Sequence, residues 1–577
     1  MLQLTGYLFP PPAVLKPGDT FDYIIVGGGT AGSVIATRLA QQEYNVLLIE
    51  SGQDAPFETT YPGFLTYMKY SQGDLNYTTE GDKYSNQCHP NKNIDLSQGQ
   101  MLGGTGGMSY MVYSRGNCRN FDEWAWITKD PNWACVNVLP YFINSEAVYD
   151  NAIMNSSLKH VFGSKGYIGV TRDMNPNTDN FLNGFKQIGK KLIDDIDGNR
   201  VGYSRGLITV ANDSRQESGA QYLSRVTDSK YLLVAKGTLA TKIIFDEYWN
   251  AIGVEVITDE GKKIIVKARQ EIIISAGAFK SPQLLMLSGI GPKEHLEKLN
   301  ITCIVDLPVG KNLQDHIAVM IPHKTNKALV PGASDPGQYP TGLFVGYGAL
   351  NESHSKQKYP DYQTEGHIIN DMKFLLQICA STLGFSNGTC NKLYDEANGN
   401  QILLTLLSNL YAHSRGQVLL RSTNPKHPPK IITDSFSYDR DLDDFIKYIN
   451  DYLEVEKSEA FKNLGATMVD LTSPRCDAFE KRSREYWRCY TLCLMLRTGS
   501  NGGTCSMESV VDSRLRVYGV NRLRVADASI MPIIATGHLF STVVMIGEKA
   551  ADMIIEDAGV YNDVKHQQIK MDQIRNL

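Results

Sequence analysis

Residues 21–52 read FDYIIVGGGTAGSVIATRLAQQEYNVLLIESG, and no other stretch restricts the fold as much. Ile24, Ile25 and Val26 form a short β-rich apolar run, the pattern of a strand covered on both faces. Ala31, Ile35 and Leu39 then recur at helical spacing, and NVLLIE returns to a strand. This is a βαβ unit, whose right-handed crossover packs the helix back onto the sheet. Gly27, Gly29 and Gly32 supply G-x-G-x-x-G spacing between the first strand and the helix. The first glycine permits the tight turn, the second lets backbone approach a pyrophosphate, and the third lets helix and strand pack closely. Thr30 and Ala31 open the helix, where unpaired N–H groups and the positive dipole end suit phosphate. Glu50, followed by Ser51, ends the second strand, where a carboxylate can hold both ribose hydroxyls. An acid there argues against a 2′-phosphate, so FAD or NAD rather than NADP.

The rest of the chain is long and of ordinary composition. Its 577 residues exceed one core, so two domains are the default. With 42% hydrophobic residues, 21% charged residues and a net charge of −5, it has no basic face for nucleic acid. No apolar run is long enough to span a bilayer. The opening MLQLTGYLFPPPAVLKPGD lacks a basic start followed by an apolar run, so a cytoplasmic chain and one whose leader is absent both stay open. Six N-x-S/T sequons, at Asn76, Asn155, Asn212, Asn300, Asn351 and Asn387, favour an extracellular or luminal protein. Ten cysteines are compatible with disulfides, and Cys379–Cys390 and Cys476–Cys489 are close enough in sequence to bridge. No Cys/His cluster has metal-ligand spacing.

Further along, residues 242–268 alternate like a β-meander, and QEIIISAGAF is another buried strand. In GAFKSPQLL, Ser281 is a natural N-cap and Pro282 suits the first helical position, which predicts a helix from there. The segment TVVMIGEKAADMIIEDA predicts a C-terminal helix with one apolar and one charged face. The glycines of LGGTGGM leave room for backbone to pass close to a flat ring or phosphate, and Thr105 could donate to a phosphate oxygen.

These blocks occur in an order that resembles the glucose–methanol–choline (GMC) oxidoreductases. GQMLGGTGGMSYMVYSRG (99–116) resembles the first family signature and SAGAFKSPQLLMLSGIGP (275–292) the second. LPVGKNLQDH and VVDSRLRVYGVNRLRVADASIMP look like further family blocks. The wording is most similar to the insect branch, which includes glucose dehydrogenases and ecdysone oxidases. The resemblance implies FAD and an α/β fold. A Rossmann-like FAD-binding domain would use residues 18–155, 205–325 and 490–560. An α+β substrate domain with an antiparallel sheet would use 156–204 and 326–489. It places FAD contacts at Gly27, Gly29, Thr30, Ala31, Gly32, Glu50, Ser51, Gly103, Gly104, Thr105, Gly107, Ser109, Ala240, Asp527 and Ala528. Ser109 departs from the asparagine usual there and loses the amide's reach and second donor.

The family motif near the C-terminus resembles H-x-x-G-T-C-x-M, followed later by a second His or Asn. Here Gly503, Thr504, Cys505 and Met507 match, and the first position is Ser500. The second His is present as His538. The resemblance implies oxidation of an alcohol CH–OH group, hydride passing to flavin N5 while a base takes the hydroxyl proton. An imidazole suits that task, whereas a serine hydroxyl is far too weak a base. The leading expectation is therefore an FAD-dependent oxidoreductase on a steroid such as ecdysone, or on a sugar. His538 is its remaining active-site imidazole, O2 or a quinone-type compound its acceptor, and its oxidase activity poor. A flavoprotein with lost oxidative activity and a flavin-requiring lyase are the alternatives.

Overall fold

The computed structural model describes residues 8–81, 85–194, 200–328, 335–350, 359–472 and 474–559. β1 (Thr20–Val26), α1 (Thr30–Gln41) and β2 (Val46–Ile49) form the unit predicted around the glycine turn. Ile24, Ile25, Leu47 and Leu48 are fully excluded from water, as strands covered on both faces require. β3 (Leu232–Ala235) pairs parallel to β2. A meander of β4 (Leu239–Phe245), β5 (Ala251–Ile257) and β6 (Lys263–Ile274) then returns the chain to β1. The order is β3-β2-β1-β6-β5-β4, and β7 (Leu523–Val525) pairs parallel with the end of β6.

Five strands of this sheet are mutually parallel, so their C-terminal ends share one rim. Gly27, Glu50 and Ser275 directly follow β1, β2 and β6, and Asp527 stands two residues beyond β7. Such a rim is where open α/β sheets bind ligands. The third glycine of the turn has the packing role expected of it. A Cβ on Gly32 would stand 1.9 Å from the Gly27 carbonyl oxygen and 3.2 Å from the Ser275 side chain.

Two helices differ from their sequence pattern. α2 (Gly277–Leu287) starts at Gly277 and not at Ser281, so Pro282 lies inside it. The Ser281 hydroxyl is used elsewhere: it accepts the Ala276 N–H at 3.0 Å and donates to the Asp527 carboxylate. Proline cannot donate to the carbonyl four residues back, and the Thr504 hydroxyl fills that place, donating to the Ala278 carbonyl at 2.6 Å. α3 (Phe540–Asp557) has no solvated charged face along its middle, because Glu548 and Lys549 are both buried. Glu548 accepts two bonds from the Arg38 guanidinium and one from Tyr222, and Lys549 lies over the rings of Trp133 and Tyr141.

A second sheet is antiparallel throughout. Its order is Thr467–Met468, Ile317–Ala328, Asn400–Asn409, Tyr362–Ile369, Gly342–Gly348, Gly202–Arg205, with Met495–Arg497 also paired to Ile317–Ala328. The expected boundary at residue 325 falls inside Ile317–Ala328, and Met495–Arg497 lies past the expected boundary at 490. Two of this sheet's strands, Gly342–Gly348 and Tyr362–Ile369, are buried along their whole length, which removes the alternation a half-exposed strand would show.

Eight cysteines pair: Cys88–Cys493, Cys118–Cys135, Cys379–Cys390 and Cys476–Cys489, leaving Cys303 and Cys505 as thiols. The two short-range pairs are those the spacing allowed. The sequon at Asn351 lies outside the described residues, and the Asn76 side chain donates to the Asp74 carbonyl at 2.9 Å. Cys88–Cys493 joins positions 405 residues apart, so it constrains the unfolded chain more than the other three. A Cys88→Ala/Cys493→Ala variant is expected to lose about 2–4 kcal/mol of stability. The check is a lowered urea midpoint, with a slope that rises as the unlinked unfolded chain exposes more surface.

Candidate active site

One cleft of about 2050 Å³, part of it open to solvent, runs along the rim of the parallel strands. It is lined by Gly27, Gly29, Thr30, Ala31, Glu50, Ser51, Gly104, Thr105, Ser109, Ala240, Asp527 and Ala528, and also by Ser500 and His538. Gly32, Gly103 and Gly107 stand behind that lining. Gly103 has φ +91° and leaves no room for a Cβ, which would stand 2.1 Å from the Glu217 carboxylate, and a Cβ on Gly107 would meet Met101 at 2.9 Å.

The turn end of the cleft suits a dinucleotide on its own geometry. A Cβ on Gly29 would have only the Gly104 Cα, at 3.7 Å, as neighbour, so the protein's own packing does not demand glycine there. A ligand that must lie against the backbone does. α1 starts with no side-chain cap and no acid in its first turn, which leaves its positive end to an anion. The Glu50 carboxylate accepts the Gly28 and Gly52 N–H groups, one on each oxygen, both at 2.8 Å. Oε1 also accepts the Ser51 hydroxyl at 3.3 Å, so Oε2 is the oxygen that keeps a lone pair for a ribose hydroxyl. Thr105 is occupied locally: it accepts the Gly99 N–H at 3.2 Å and donates to Gln98 at 3.3 Å. These residues fit FAD.

Asp527 fastens this end. It accepts the Gly277 and Ser529 N–H groups at 2.8 Å each, together with the Ser281 hydroxyl. Ser109 is tied to Arg215, a residue that no motif marked. The buried guanidinium donates to the Ser109 carbonyl and lies 3.4 Å from its hydroxyl. Burial pushes the Arg215 guanidinium down to about 10.

The other end carries the side chains able to move protons. Ser500 is buried, and its N–H donates to Asp315 at 2.7 Å. Asp315 also pairs with the buried Arg497 at 3.0 Å. Thr498 donates to the Ser500 hydroxyl at 2.9 Å. His316 lies behind this wall, with Nε2 bonded to the Ala535 carbonyl at 2.9 Å.

His538 has a partner that the sequence reading missed. Its Nε2 lies 2.6 Å from Glu365 Oε2, and the other Glu365 oxygen is 2.8 Å from His367 Nε2. His367 Nδ1 in turn lies 3.2 Å from the Thr341 hydroxyl. Glu365 and His367 alternate on Tyr362–Ile369, so they share one face of that strand. The Glu-Gly-His spacing was the available signal, hidden because the strand is buried throughout. Burial alone would lower the His538 pKa, but the Glu365 charge and hydrogen bond outweigh it and hold it above the ordinary value of 6.5. Burial would raise Glu365, but His538 and His367 hold it well below the usual carboxylate range.

The pair fixes a pH window for stability. The Glu365 contribution is present above its unfolded value near 4.5 and is lost as pH falls through its lower folded pKa. The His538 contribution is present below its unfolded value near 6.5 and is lost as pH rises through its higher folded pKa. Glu365→Gln is therefore expected to cost most stability between about pH 4.5 and 6.5, with the difference shrinking above the folded His538 pKa. Urea unfolding of both proteins from pH 4 to 9 checks this, and a difference that does not vary with pH contradicts it.

Comparison with known proteins agrees with this geometry. The sequence profiles of the GMC oxidoreductase family match residues 21–318 and 412–547. Ecdysone oxidase of Spodoptera littoralis is 34% identical over 563 residues, covering 95% of this chain and 93% of that protein. Glucose dehydrogenase (FAD, quinone) of Drosophila melanogaster is 30% identical over 561 residues, covering 93% and 87%. Among solved structures, formate oxidase of Aspergillus oryzae superposes with a TM-score of 0.80 at 25% identity, covering 95% of this chain and 100% of that one. Likeness on this scale, nearly end to end and over both profiles, means that the chain belongs to the GMC oxidoreductase family, as an FAD-dependent enzyme acting on a small molecule.

Proposed function

We propose that this enzyme oxidises the CH–OH group of a steroid such as ecdysone, or of a sugar, with His538 as its proton-handling residue and Ser500 in the place of a second imidazole. The observation that carries the reading is the Glu365-paired His538, which with Ser500 lines the same cleft as the glycine turn and Glu50. In this reading residues 18–155, 205–325 and 490–560 serve the cofactor, and 156–204 and 326–489 the substrate. Glu50 holds the ribose, the start of α1 faces the pyrophosphate, and Ala240, Asp527 and Ala528 complete the cofactor wall. Bound FAD supplies the two-electron acceptor.

The chain's own part is to orient the alcohol and take its proton. His538 accepts that proton only when deprotonated, and Glu365 raises the pH at which this happens. kcat/KM should therefore rise with pH through a pKa above 6.5. Ser500 relays a proton or leaves space for a bulky substrate, but does not act as a base. The negative Glu365 offsets the charge on protonated His538, and Ser500 carries none. Little positive charge is then left to stabilise reduced oxygen, so a quinone-type acceptor is used in preference to O2. The name of the Drosophila relative, which includes quinone, agrees with that choice. Four disulfides support an extracellular or luminal location over a cytoplasmic one.

The test is the anaerobic visible spectrum of the purified protein with a panel of alcohols that includes ecdysone and glucose. The flavin band of the wild type is expected to bleach slowly. Supplying the second imidazole with Ser500→His should speed the bleaching by about 10²-fold or more. A band that bleaches in neither protein, with any alcohol, would mean that the fold has kept FAD and given up alcohol oxidation. Reoxidation faster with O2 than with a quinone would refute the acceptor assignment.

A further inference from the structure

Part of the cleft wall presents polar groups that no other described residue hydrogen-bonds. Tyr77–Thr78 pairs antiparallel with Asp95–Leu96, and Ser97 follows directly. Tyr77 is 3% exposed, yet its hydroxyl has no hydrogen-bond partner among the described residues, and neither has the buried Ser97 hydroxyl. α2 meets this hairpin with two successive residues. Phe279 packs edge-on against the Tyr77 ring at 5.9 Å, and the Lys280 ammonium lies 5.9 Å from the same ring. All three polar residues line the cleft.

Lys280 makes no ion pair among the described residues. Burial alone acts on its ammonium and pushes it down to about 8. Asp95 lines the same cleft but is occupied by the Tyr70 hydroxyl at 2.6 Å and by Thr78 at 3.3 Å. A half-buried cation with no counter-ion among the described residues, in a cleft wall that also holds two unpartnered hydroxyls, is costly unless a ligand completes the set. Lysine offers only donors, and each hydroxyl has a donor to give. The wall continues into the glycine cradle: Gln98, next to Ser97, accepts from Thr105, and Gly104 abuts Gly29.

We infer that Lys280, Tyr77 and Ser97 form an oxyanion subsite of the cleft, taking a phosphate or carboxylate group carried by the dinucleotide or by the alcohol substrate. The inference rests on the FAD-dependent alcohol oxidation proposed above. A neutral steroid or sugar has no use for an ammonium at this place. If the group belongs to the substrate, that alcohol therefore carries an anionic substituent.

The experiment compares full-length wild type with Lys280→Met, Lys280→Arg and Tyr77→Phe. It reads FAD dissociation by flavin fluorescence on dilution, and KM for a neutral alcohol against its phosphate or carboxylate derivative. Lys280→Met is expected to lose at least about tenfold in one of these readouts, with Lys280→Arg restoring most of it and Tyr77→Phe losing less. Weaker FAD binding at an unchanged KM ratio assigns the oxyanion to the dinucleotide. A raised KM for the charged alcohol alone assigns it to the substrate. FAD affinity and KM ratio both unchanged in Lys280→Met, at an unchanged melting temperature, overturn the inference. If the wild type carries no flavin, the cofactor reading has failed by itself. Calorimetric titration with inorganic pyrophosphate then decides the subsite: binding lost in Lys280→Met upholds it, and binding absent or unchanged overturns it.

Discussion

The Asp527 carboxylate joins two parts of the chain, distant in sequence, that must meet for the cleft to exist. It stands just beyond β7 and accepts the N–H of Gly277 and the hydroxyl of Ser281 at the start of α2, together with the N–H of Ser529. A buried carboxylate saturated in this way holds its partners rigidly, because releasing any one leaves an unpaired group in a dry interior. The Thr504 bond to the Ala278 carbonyl runs parallel to it and supplies the donor that Pro282 lacks. Together they bind the second signature to the C-terminal block, and so set the Ser500 loop against the rim of the parallel sheet.

A second constraint links that rim to the antiparallel sheet. His538 lies just before α3, whereas Glu365 lies within the strand Tyr362–Ile369, and their 2.6 Å contact crosses from one sheet's territory to the other. The pair sets a part-buried imidazole against a buried carboxylate, and each shifts the other toward its charged form. The Glu365 charge beside His538 therefore sets the pH range over which the pair supports the fold.

The helices show how far local pattern reaches. Ser281-Pro282 is a sound helix start by its local chemistry, yet α2 starts earlier because Asp527 claims the Ser281 hydroxyl and Thr504 makes an internal proline tolerable. In α3 the acid and base at 548 and 549 read as a solvated face. They are buried because Arg38, Tyr222, Trp133 and Tyr141 meet them from elements distant in sequence. A charged residue is assigned to solvent by default, and only tertiary partners reverse that.

By itself the sequence determined the βαβ unit, the glycine turn and the acid after β2. Each of these depends on residue type and short spacing: φ freedom at Gly27, close packing at Gly32, apolar periodicity in α1. The tertiary structure alone decided what His538 is paired with, which residues stand behind Ser109 and Ser500, and that Lys280 meets Tyr77 in the cleft wall. Glu365 stands 173 positions from His538 and Arg215 stands 106 from Ser109. Such pairings are set by strand register and layer packing, whose information is spread over the whole chain.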